Sequence, residues 1–167
     1  MSELIKKAEI FAIQVHEGQF RKDGKTPYIK HCATVVELLK SIRIKDENIL
    51  VAAWLHDVIE DCDVTAKEIE KEFNEEIARI VSTLTRDVDR ELYKERMKKA
   101  DYKVQIIKLA DMVHNCSDLN EDLKFKTVVR KIDDSDRLYL DMAKKIAPEF
   151  YEKLIMYLKP FREVCKN

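Results

Sequence analysis

Apolar residues recur along much of the chain at the three- and four-residue spacing of amphipathic helices. This spacing predicts a first helix from about Ser2 to His16 and a second from about Tyr28 to Ser41. A third, from about Asp46 to Ile59, is apolar almost all round in its middle, which is typical of a buried helix. No alternation of period two is sustained anywhere, so strands are not expected.

Capping signals place the next helices. Thr65-Ala-Lys-Glu68 is a capping box and predicts the start of a fourth helix. Asn74 is expected to end that helix. A fifth helix follows, marked by the apolar positions Ile77, Ile80, Val81 and Leu84.

The last part of the chain continues the helical pattern. A charged segment from Asp87 to Ala100 leads into a mostly apolar helix from Val104 to Asn115. The tail, from about Ser135 to Leu158, is expected to form one or two amphipathic helices, interrupted near Pro148. Because the chain has only two glycines and three prolines, we predict an all-α fold, a compact helical bundle of one domain over residues 1–167.

Size and charge limit the class of protein. A chain of 167 residues, 46% apolar and 38% charged, can fill one core and cover it with a polar surface. Its 31 basic and 32 acidic residues lack the basic excess of a nucleic-acid binder. The charged N-terminus has no uninterrupted apolar stretch for a signal peptide or a membrane span. We therefore expect a cytoplasmic protein without a nucleic-acid or membrane partner; the sequence does not predict an oligomeric state.

The four cysteines are widely separated and form no C-x-x-C pair: Cys32, Cys62, Cys116 and Cys165. A zinc ribbon or a disulfide framework is therefore not expected, and reduced thiols in a reducing compartment are. Three of the four directly follow candidate site residues, and we expect them to pack next to a site. These are Cys32 after His31, Cys62 after Asp61 and Cys116 after Asn115.

Both glycines of the chain, Gly18 and Gly24, fall in the stretch between His16 and His31. Such a concentration predicts special backbone angles there. The same stretch carries three cations, Arg21, Lys22 and Lys25. Cations on a structured loop can bind phosphate, although an ordinary helix connection is the alternative.

His56 and Asp57 lie inside the apolar run from Val51 to Ile59. A buried carboxylate without a partner costs several kcal/mol, so Asp57 needs a cation or hydrogen-bond donors. Glu60 and Asp61 follow at helical spacings of three and four residues, which predicts one shared face. Surface ion pairing explains this group poorly, since no lysine or arginine lies near it in sequence.

Two further blocks carry possible ligands. Asp111, His114 and Asn115 share one face of the helix that follows Val104, and His31 ends the glycine-containing stretch. Two imidazoles and two carboxylates with open positions suit Mn, Fe or Mg, and thiolate-rich zinc sites look different. A buried polar network without a metal is the alternative.

These blocks resemble the HD superfamily of phosphohydrolases, with its H…HD…D signature. The resemblance covers roughly residues 4–119 and is strongest to the hydrolase domains of RelA/SpoT-type alarmone enzymes and stand-alone small alarmone hydrolases. The matching stretches are His16-Glu-Gly-Gln-Phe-Arg-Lys-Asp-Gly24, Pro27-Tyr-Ile-Lys-His31, Leu55-His-Asp-Val-Ile-Glu-Asp61 and Ile107-Lys-Leu-Ala-Asp-Met-Val-His-Asn115.

The resemblance implies a role for each matching residue. One Mn²⁺, or else Fe²⁺ or Mg²⁺, would be bound by His31, His56, Asp57 and Asp111. Glu60 and Asp61 match the acidic pair next to the metal-bound water. Nucleotide-contacting residues of the family are matched by Arg21, Lys22 and Asn115. Lys108 matches a lysine that would face phosphate, and a surface lysine without that role is the alternative. The implied reaction is hydrolysis of the 3′-pyrophosphate of ppGpp or pppGpp, and no synthetase domain is expected after Asn167.

The chain departs from the alarmone pattern at three places: Cys32 in place of a proline, Met112 in place of a basic residue, and Cys-Ser-Asp after Asn115. None of them is a proposed ligand. Two alternatives therefore stay open. One is an HD phosphohydrolase acting on another phosphorylated nucleotide or metabolite, and the other is a non-catalytic nucleotide-binding module.

Overall fold

The computed structural model describes residues 2–119 and 125–164, with the backbone alone for residues 125–127, 137 and 164. Over these ranges the secondary structure is helical, apart from one isolated bridge between Phe20 and Pro27. The all-α prediction is thereby confirmed. The chain divides into two compact units, residues 1–107 and 108–167. The expectation of a single domain stays a prediction.

The helices of the first unit are α1 (Glu3–Val15), α2 (Ile29–Ser41), α3 (Glu47–Leu55), α4 (Val58–Asp61), α5 (Ala66–Glu72), α6 (Glu75–Leu84) and α7 (Arg90–Lys99). Helix α8 (Tyr102–Ser117) spans the division. The second unit adds α9 (Phe125–Asp134), a π-helical turn (Ser135–Tyr139), α10 (Leu140–Ile146) and α11 (Pro148–Val164). None of the described helices is long and apolar enough to cross a membrane.

Helix α3 is the centre of the first unit, as its all-round apolar sequence predicts. Helices α1, α2 and α6 pack against it. Its residues Val51, Ala52, Ala53 and Leu55 are fully buried. Full burial of a valine or leucine side chain contributes about 1.5–3 kcal/mol each. This packing fixes the end of α3, which His56 and Asp57 follow directly.

The predicted single helix from Asp46 to Ile59 is wrong. Helix α3 ends at Leu55, a turn covers His56 and Asp57, and α4 begins at Val58. Successive residues of a regular helix do not face each other. The turn lets these two neighbours meet, with His56 Nε2 2.9 Å from Asp57 Oδ2. The break in the helix thus serves the candidate site.

Caps account for several helix starts. The capping box at Thr65 is confirmed, with the Thr65 hydroxyl accepting from Glu68 N and the Glu68 carboxylate accepting from Thr65 N. Asn74 does not end α5, which finishes at Glu72; it caps α6, because its side-chain oxygen accepts from Ile77 N at 2.8 Å.

The charged segment from Asp87 to Ala100 contains a helix, α7, that sequence periodicity did not indicate. The Asp89 carboxylate caps it by accepting from the backbone N–H of Glu91 and Leu92. Only Tyr93 and Met97, four positions apart, supply buried apolar side chains. With so few apolar positions, the helical pattern is weak in the sequence.

The second unit is built from α9 to α11. The π-helical turn packs with α9 and α10, and α11 packs with α10 and α9. Fully buried side chains of α11 are Phe150, Leu154 and Leu158. The predicted interruption at Pro148 is confirmed, since α11 begins there, at a position where proline's missing N–H costs nothing. Helix α9 lies before the predicted start of the tail at Ser135.

Candidate active site

Three side chains of the first unit converge at the junction of α2, α3 and α4. His31 Nε2 and His56 Nε2 are 3.1 Å apart. Asp57 Oδ2 lies 2.9 Å from His56 Nε2 and 3.5 Å from His31 Nε2. The two histidines are 1% and 3% exposed. Three of the four predicted ligands, His31, His56 and Asp57, are therefore brought together in the first unit, with both histidines buried.

The contact of His56 Nδ1 shows which ring nitrogen of His56 carries the proton. His56 Nδ1 lies 2.8 Å from the carbonyl oxygen of Ala53, which can only accept, so Nδ1 carries the proton. In the neutral ring, Nε2 then presents a lone pair toward His31 Nε2 and the Asp57 carboxylate. Acceptor atoms this close, out of water, need a proton or a metal cation among them. The donor set therefore fits a divalent metal, whose histidine ligands typically donate their other ring N–H to a carbonyl.

The Asp57 carboxyl is held in its ionised form. Burial raises its pKa, but positive charge on protonated His56 and hydrogen bonds from His56 and His31 more than offset this, so the pKa of Asp57 lies well below the usual range. A metal cation in place of those protons would supply the same positive charge. A carboxylate that stays ionised is available as a hard oxygen ligand at neutral pH. The side chain retains 20% exposure, so the site is not sealed from solvent.

Tyr28 is a site residue that sequence reasoning missed. Its hydroxyl donates to Asp57 Oδ2 at 2.6 Å. Its ring stacks on the His16 ring at 4.8 Å between centroids and meets the His31 ring edge-on at 5.6 Å. The available signal was its position three residues before His31 at the start of α2, a helical spacing that places both on one face.

The glycine-containing stretch forms a folded loop. Gly18 and Gly24 have φ of +76° and +68°, as the glycine pattern predicts. Arg21 N donates to Thr26 O at 2.8 Å, and Gly24 N donates to Arg21 O at 2.8 Å. These bonds give the predicted cations a defined backbone.

Asp23 stabilises this loop from within. Its carboxylate accepts from the Thr26 hydroxyl at 2.6 Å and from the backbone N–H of Thr26 and Lys25 at 2.9 and 2.8 Å. The Thr26 hydroxyl, with these backbone donors, lowers the pKa of Asp23 to about 2. The bonded carboxylate fixes the turn that carries Lys25.

The three predicted phosphate-binding cations differ in setting. The Arg21 guanidinium lies over the Tyr28 ring, 5.5 Å from its centroid, and Arg21 is half-buried. The side chains of Lys22 and Lys25 are exposed. Arg21 is thus linked through Tyr28 to Asp57, whereas the two lysines lie on the outside of the loop.

The acidic pair at the end of α4 has a cationic partner from another segment. The Glu60 carboxylate accepts from Arg86 N at 2.9 Å, and the Arg86 guanidinium lies 3.6 Å from Glu60 Oε1. The expectation that ion pairing explains this group poorly is therefore wrong for Glu60, because Arg86 follows α6 rather than α3. Asp61 is exposed, and its backbone oxygen accepts from Gln19 Nε2 at 2.9 Å.

His16 has neighbours of its own beside the site. His16 Nδ1 lies 2.8 Å from Gln19 Oε1 and 3.3 Å from Cys62 Sγ. Burial raises the pKa of the Cys62 thiol, which favours the neutral thiol. These contacts connect the start of the loop to the end of α4, next to Asp61.

The candidate residues of α8, between Lys108 and Asn115, belong to the second unit. Asp111 is 5% exposed, and its carboxylate accepts from Lys108 Nζ at 2.8 Å and from the Asn115 amide. His114 Nε2 lies 3.7 Å from Asp118 Oδ1. Within this unit the shared face of Asp111 and Asn115 is confirmed. Cys116, on the same helix, is buried, which raises the pKa of its thiol to about 11.

Comparisons with known proteins place the chain in a family. The sequence profile of the family described as "HD domain" matches residues 8–146. The guanosine-3′,5′-bis(diphosphate) 3′-pyrophosphohydrolase MESH1 of Xenopus tropicalis is 38% identical over 124 residues, 70% of this chain and 69% of that protein. The guanosine-3′,5′-bis(diphosphate) 3′-pyrophosphohydrolase of Vibrio cholerae is 34% identical over 126 residues, 68% of this chain and 17% of that longer protein.

A solved structure gives the same result for the fold. It is described as a metazoan ortholog of SpoT that hydrolyzes ppGpp, and it superposes with a TM-score of 0.82 at 26% identity, covering 96% of each chain. The family match extends over most of the sequence, including all four blocks that carry the histidines and aspartates. The chain therefore belongs to the HD domain family.

Proposed function

We propose that the protein is a metal-dependent phosphohydrolase that cleaves the 3′-pyrophosphate from ppGpp or pppGpp, giving pyrophosphate and GDP or GTP. The observation that carries the proposal is the convergence of His31, His56 and Asp57 in a chain of the HD domain family. It is supported by relatives in Xenopus tropicalis and Vibrio cholerae whose names state this activity.

The proposed metal ligands are His31, His56, Asp57 and Asp111. The first three are supported by the short distances among their ligand atoms, and Asp111 by the sequence signature of the family. Two imidazoles with two carboxylates favour Mn²⁺, with Fe²⁺ or Mg²⁺ as the other candidates. Such a cation activates water near neutral pH and neutralises charge on a phosphoryl group.

Glu60 and Asp61 are proposed to orient the attacking water and to accept its proton. A carboxylate within hydrogen-bond reach of water can do both. Glu60 is fixed by Arg86, and the backbone of Asp61 is fixed by Gln19. Two such anchors at the end of α4 limit the movement of the pair relative to the ligand Asp57 in the preceding turn.

The substrate is proposed to bind through basic and polar side chains. The guanosine polyphosphate is strongly anionic, and Arg21, Lys22 and Lys25 of the loop supply positive charge. Arginine offers a planar fork of donors for phosphate oxygens, whereas the lysines act as point charges. Lys108 and Asn115 are further proposed contacts, and both bind the Asp111 carboxylate.

A second substrate class is favoured by one observation. Met112 is 6% exposed and apolar at the position where alarmone hydrolases carry a basic residue. Without this positive charge, a less anionic nucleotide becomes the alternative substrate. An assay that compares ppGpp, pppGpp, GTP and 3′-phosphorylated nucleosides, with product identification by chromatography, separates the two. Release of pyrophosphate from ppGpp or pppGpp in preference to the other nucleotides supports the first proposal, and preference for another nucleotide supports the second.

The cytoplasm is the proposed location. Its support is the state of the cysteines, since Cys62 and Cys116 are thiols and not disulfide halves. Thiols of this kind are usual in a reducing compartment.

A further inference from the structure

We infer that Tyr28 is a positioning residue that fixes the metal ligand Asp57 through its hydroxyl and seats the phosphate-binding Arg21 on its ring. The inference rests on the proposed function, which makes Asp57 a metal ligand and Arg21 a phosphate-binding residue. Tyr28 itself does not touch the reacting atoms in this account. Its two contacts are made by different parts of one side chain, so they can be removed separately.

The hydroxyl contact fixes the carboxylate. Tyr28 Oη donates to Asp57 Oδ2 at 2.6 Å, and this same oxygen lies 2.9 Å from His56 Nε2. Hydrogen bonds of this kind orient ligating carboxylates and strengthen metal sites. A phenol is protonated throughout the physiological range, so the Tyr28 hydroxyl remains a donor there.

The ring is held from two sides. His16 stacks on it with an interplanar angle of 27°, and His31 meets it at 67°. His16 is in turn fixed by Gln19 at 2.8 Å. A ring clamped in this way has little rotational freedom, so the hydroxyl reaches Asp57 at low entropic cost.

The Tyr28 ring also contacts a cation, Arg21. The Arg21 guanidinium lies 5.5 Å from the Tyr28 centroid, within the range of a cation–π interaction. The backbone of Arg21 is fixed by Thr26, at 2.8 Å. Loop and ring together therefore determine where this guanidinium lies relative to Asp57.

Two variants separate the roles. Tyr28→Phe keeps the ring, and so its stacking and the seat for Arg21, but removes the hydroxyl. We expect the Kd for Mn²⁺ to rise about 10- to 100-fold, with KM for ppGpp at saturating Mn²⁺ unchanged. Tyr28→Leu removes both contacts, and we expect KM to rise about threefold in addition, as the loss of an exposed cation–π contact implies.

The measurement is a titration of each purified protein with Mn²⁺, followed by the electron paramagnetic resonance signal of the free ion. Circular dichroism establishes that the variants are folded. Tyr102→Phe is the matched control, because Tyr102 is exposed at the start of α8 and outside the site. Activity that Tyr28→Phe loses at low Mn²⁺ should return when Mn²⁺ is raised in proportion to the new Kd.

The outcomes are distinct. A wild-type protein that binds Mn²⁺ and cleaves ppGpp, with a Kd for Tyr28→Phe within about twofold of wild type, would overturn the role of Tyr28 and leave the proposed function standing. A wild-type protein that binds no Mn²⁺ would overturn both. A weakened Kd in Tyr28→Phe but not in Tyr102→Phe supports the inference.

Discussion

His31 Nε2 lies 3.1 Å from His56 Nε2, and the His56 ring is oriented by the Ala53 carbonyl so that its lone pair faces that contact. Two imidazole nitrogens this close and this deeply buried cannot both be unprotonated acceptors with nothing between them. A shared proton or a metal cation satisfies both, and Asp57 adds a third acceptor at 2.9 Å. A metal in that position would make Asp111 a fourth ligand and would place its bound water near Glu60 and Asp61.

Removal of Asp111 is expected to abolish metal binding and activity together. Asp111→Ala deletes the proposed fourth ligand, leaving three protein ligands in the first unit. We expect less than one equivalent of Mn²⁺ after dialysis and a loss of hydrolysis in parallel. Metal content by atomic emission and pyrophosphate release measure the two. Asp141→Ala, in an exposed position of α10, is the control and should keep both. A full metal equivalent in Asp111→Ala would show the ligand set to be wrong.

The acidic pair is expected to affect turnover and not binding. Glu60→Gln combined with Asp61→Asn keeps the size of both side chains but removes both carboxylates. We expect kcat to fall about 10²- to 10⁴-fold, the usual contribution of proton transfer, while Mn²⁺ affinity and KM stay near wild type. Asp141→Asn with Glu149→Gln changes the same charge at exposed sites and is the control. Hydrolysis near the wild-type rate in the Glu60/Asp61 variant contradicts the assignment.

The Asp23 hydrogen bonds predict a pH dependence of the loop. The pKa of Asp23 is lowered from 3.8 to about 2, so its contribution to stability is fully present above pH 3.8 and is lost as the pH falls through about 2. Thr26→Val removes the hydroxyl donor and should raise the midpoint toward 3.8. Carboxyl NMR titration measures it, and Thr34→Val, whose hydroxyl donates to Lys30 O, is the control. A wild-type midpoint near 3.8 contradicts this account.

Core packing in the first unit predicts that alanine substitutions at two isoleucines change the free energy of unfolding by different amounts. Ile80 of α6 is fully buried, and Ile10 of α1 is 48% exposed. Ile80→Ala is expected to lower the free energy of unfolding by about 2–5 kcal/mol, because it removes buried methylenes and leaves a cavity. Ile10→Ala should change it by less than about 0.5 kcal/mol. Urea unfolding followed by circular dichroism compares them, and equal losses would contradict the packing of α6.

The sequence predicted elements whose signals are local. Apolar periodicity gave α1 and α2, and the Thr65 capping box gave the start of α5. The turn after α3 was missed, since the apolar pattern runs through it and only the contact between His56 and Asp57 requires it. Helix α7 was missed because it buries only two apolar side chains.

The candidate site shows the same division between local and distant signals. The His56-Asp57 pair and the glycine positions could be recognised in the sequence, because adjacent residues carry them. Arg86 as the partner of Glu60, and Tyr28 as the donor to Asp57, bring together segments more than twenty residues apart. Such contacts depend on tertiary packing, and one sequence does not determine them by periodicity.

The most direct test of the proposed function is pyrophosphate release from ppGpp by the purified protein, measured with Mn²⁺, with a chelator, and after Mn²⁺ is restored. We predict release with Mn²⁺, its loss with the chelator, and its recovery on restoration, with GDP as the second product. Release that continues unchanged in the chelator would contradict the role of the metal. No release from ppGpp by a protein that binds Mn²⁺ would contradict the proposed substrate.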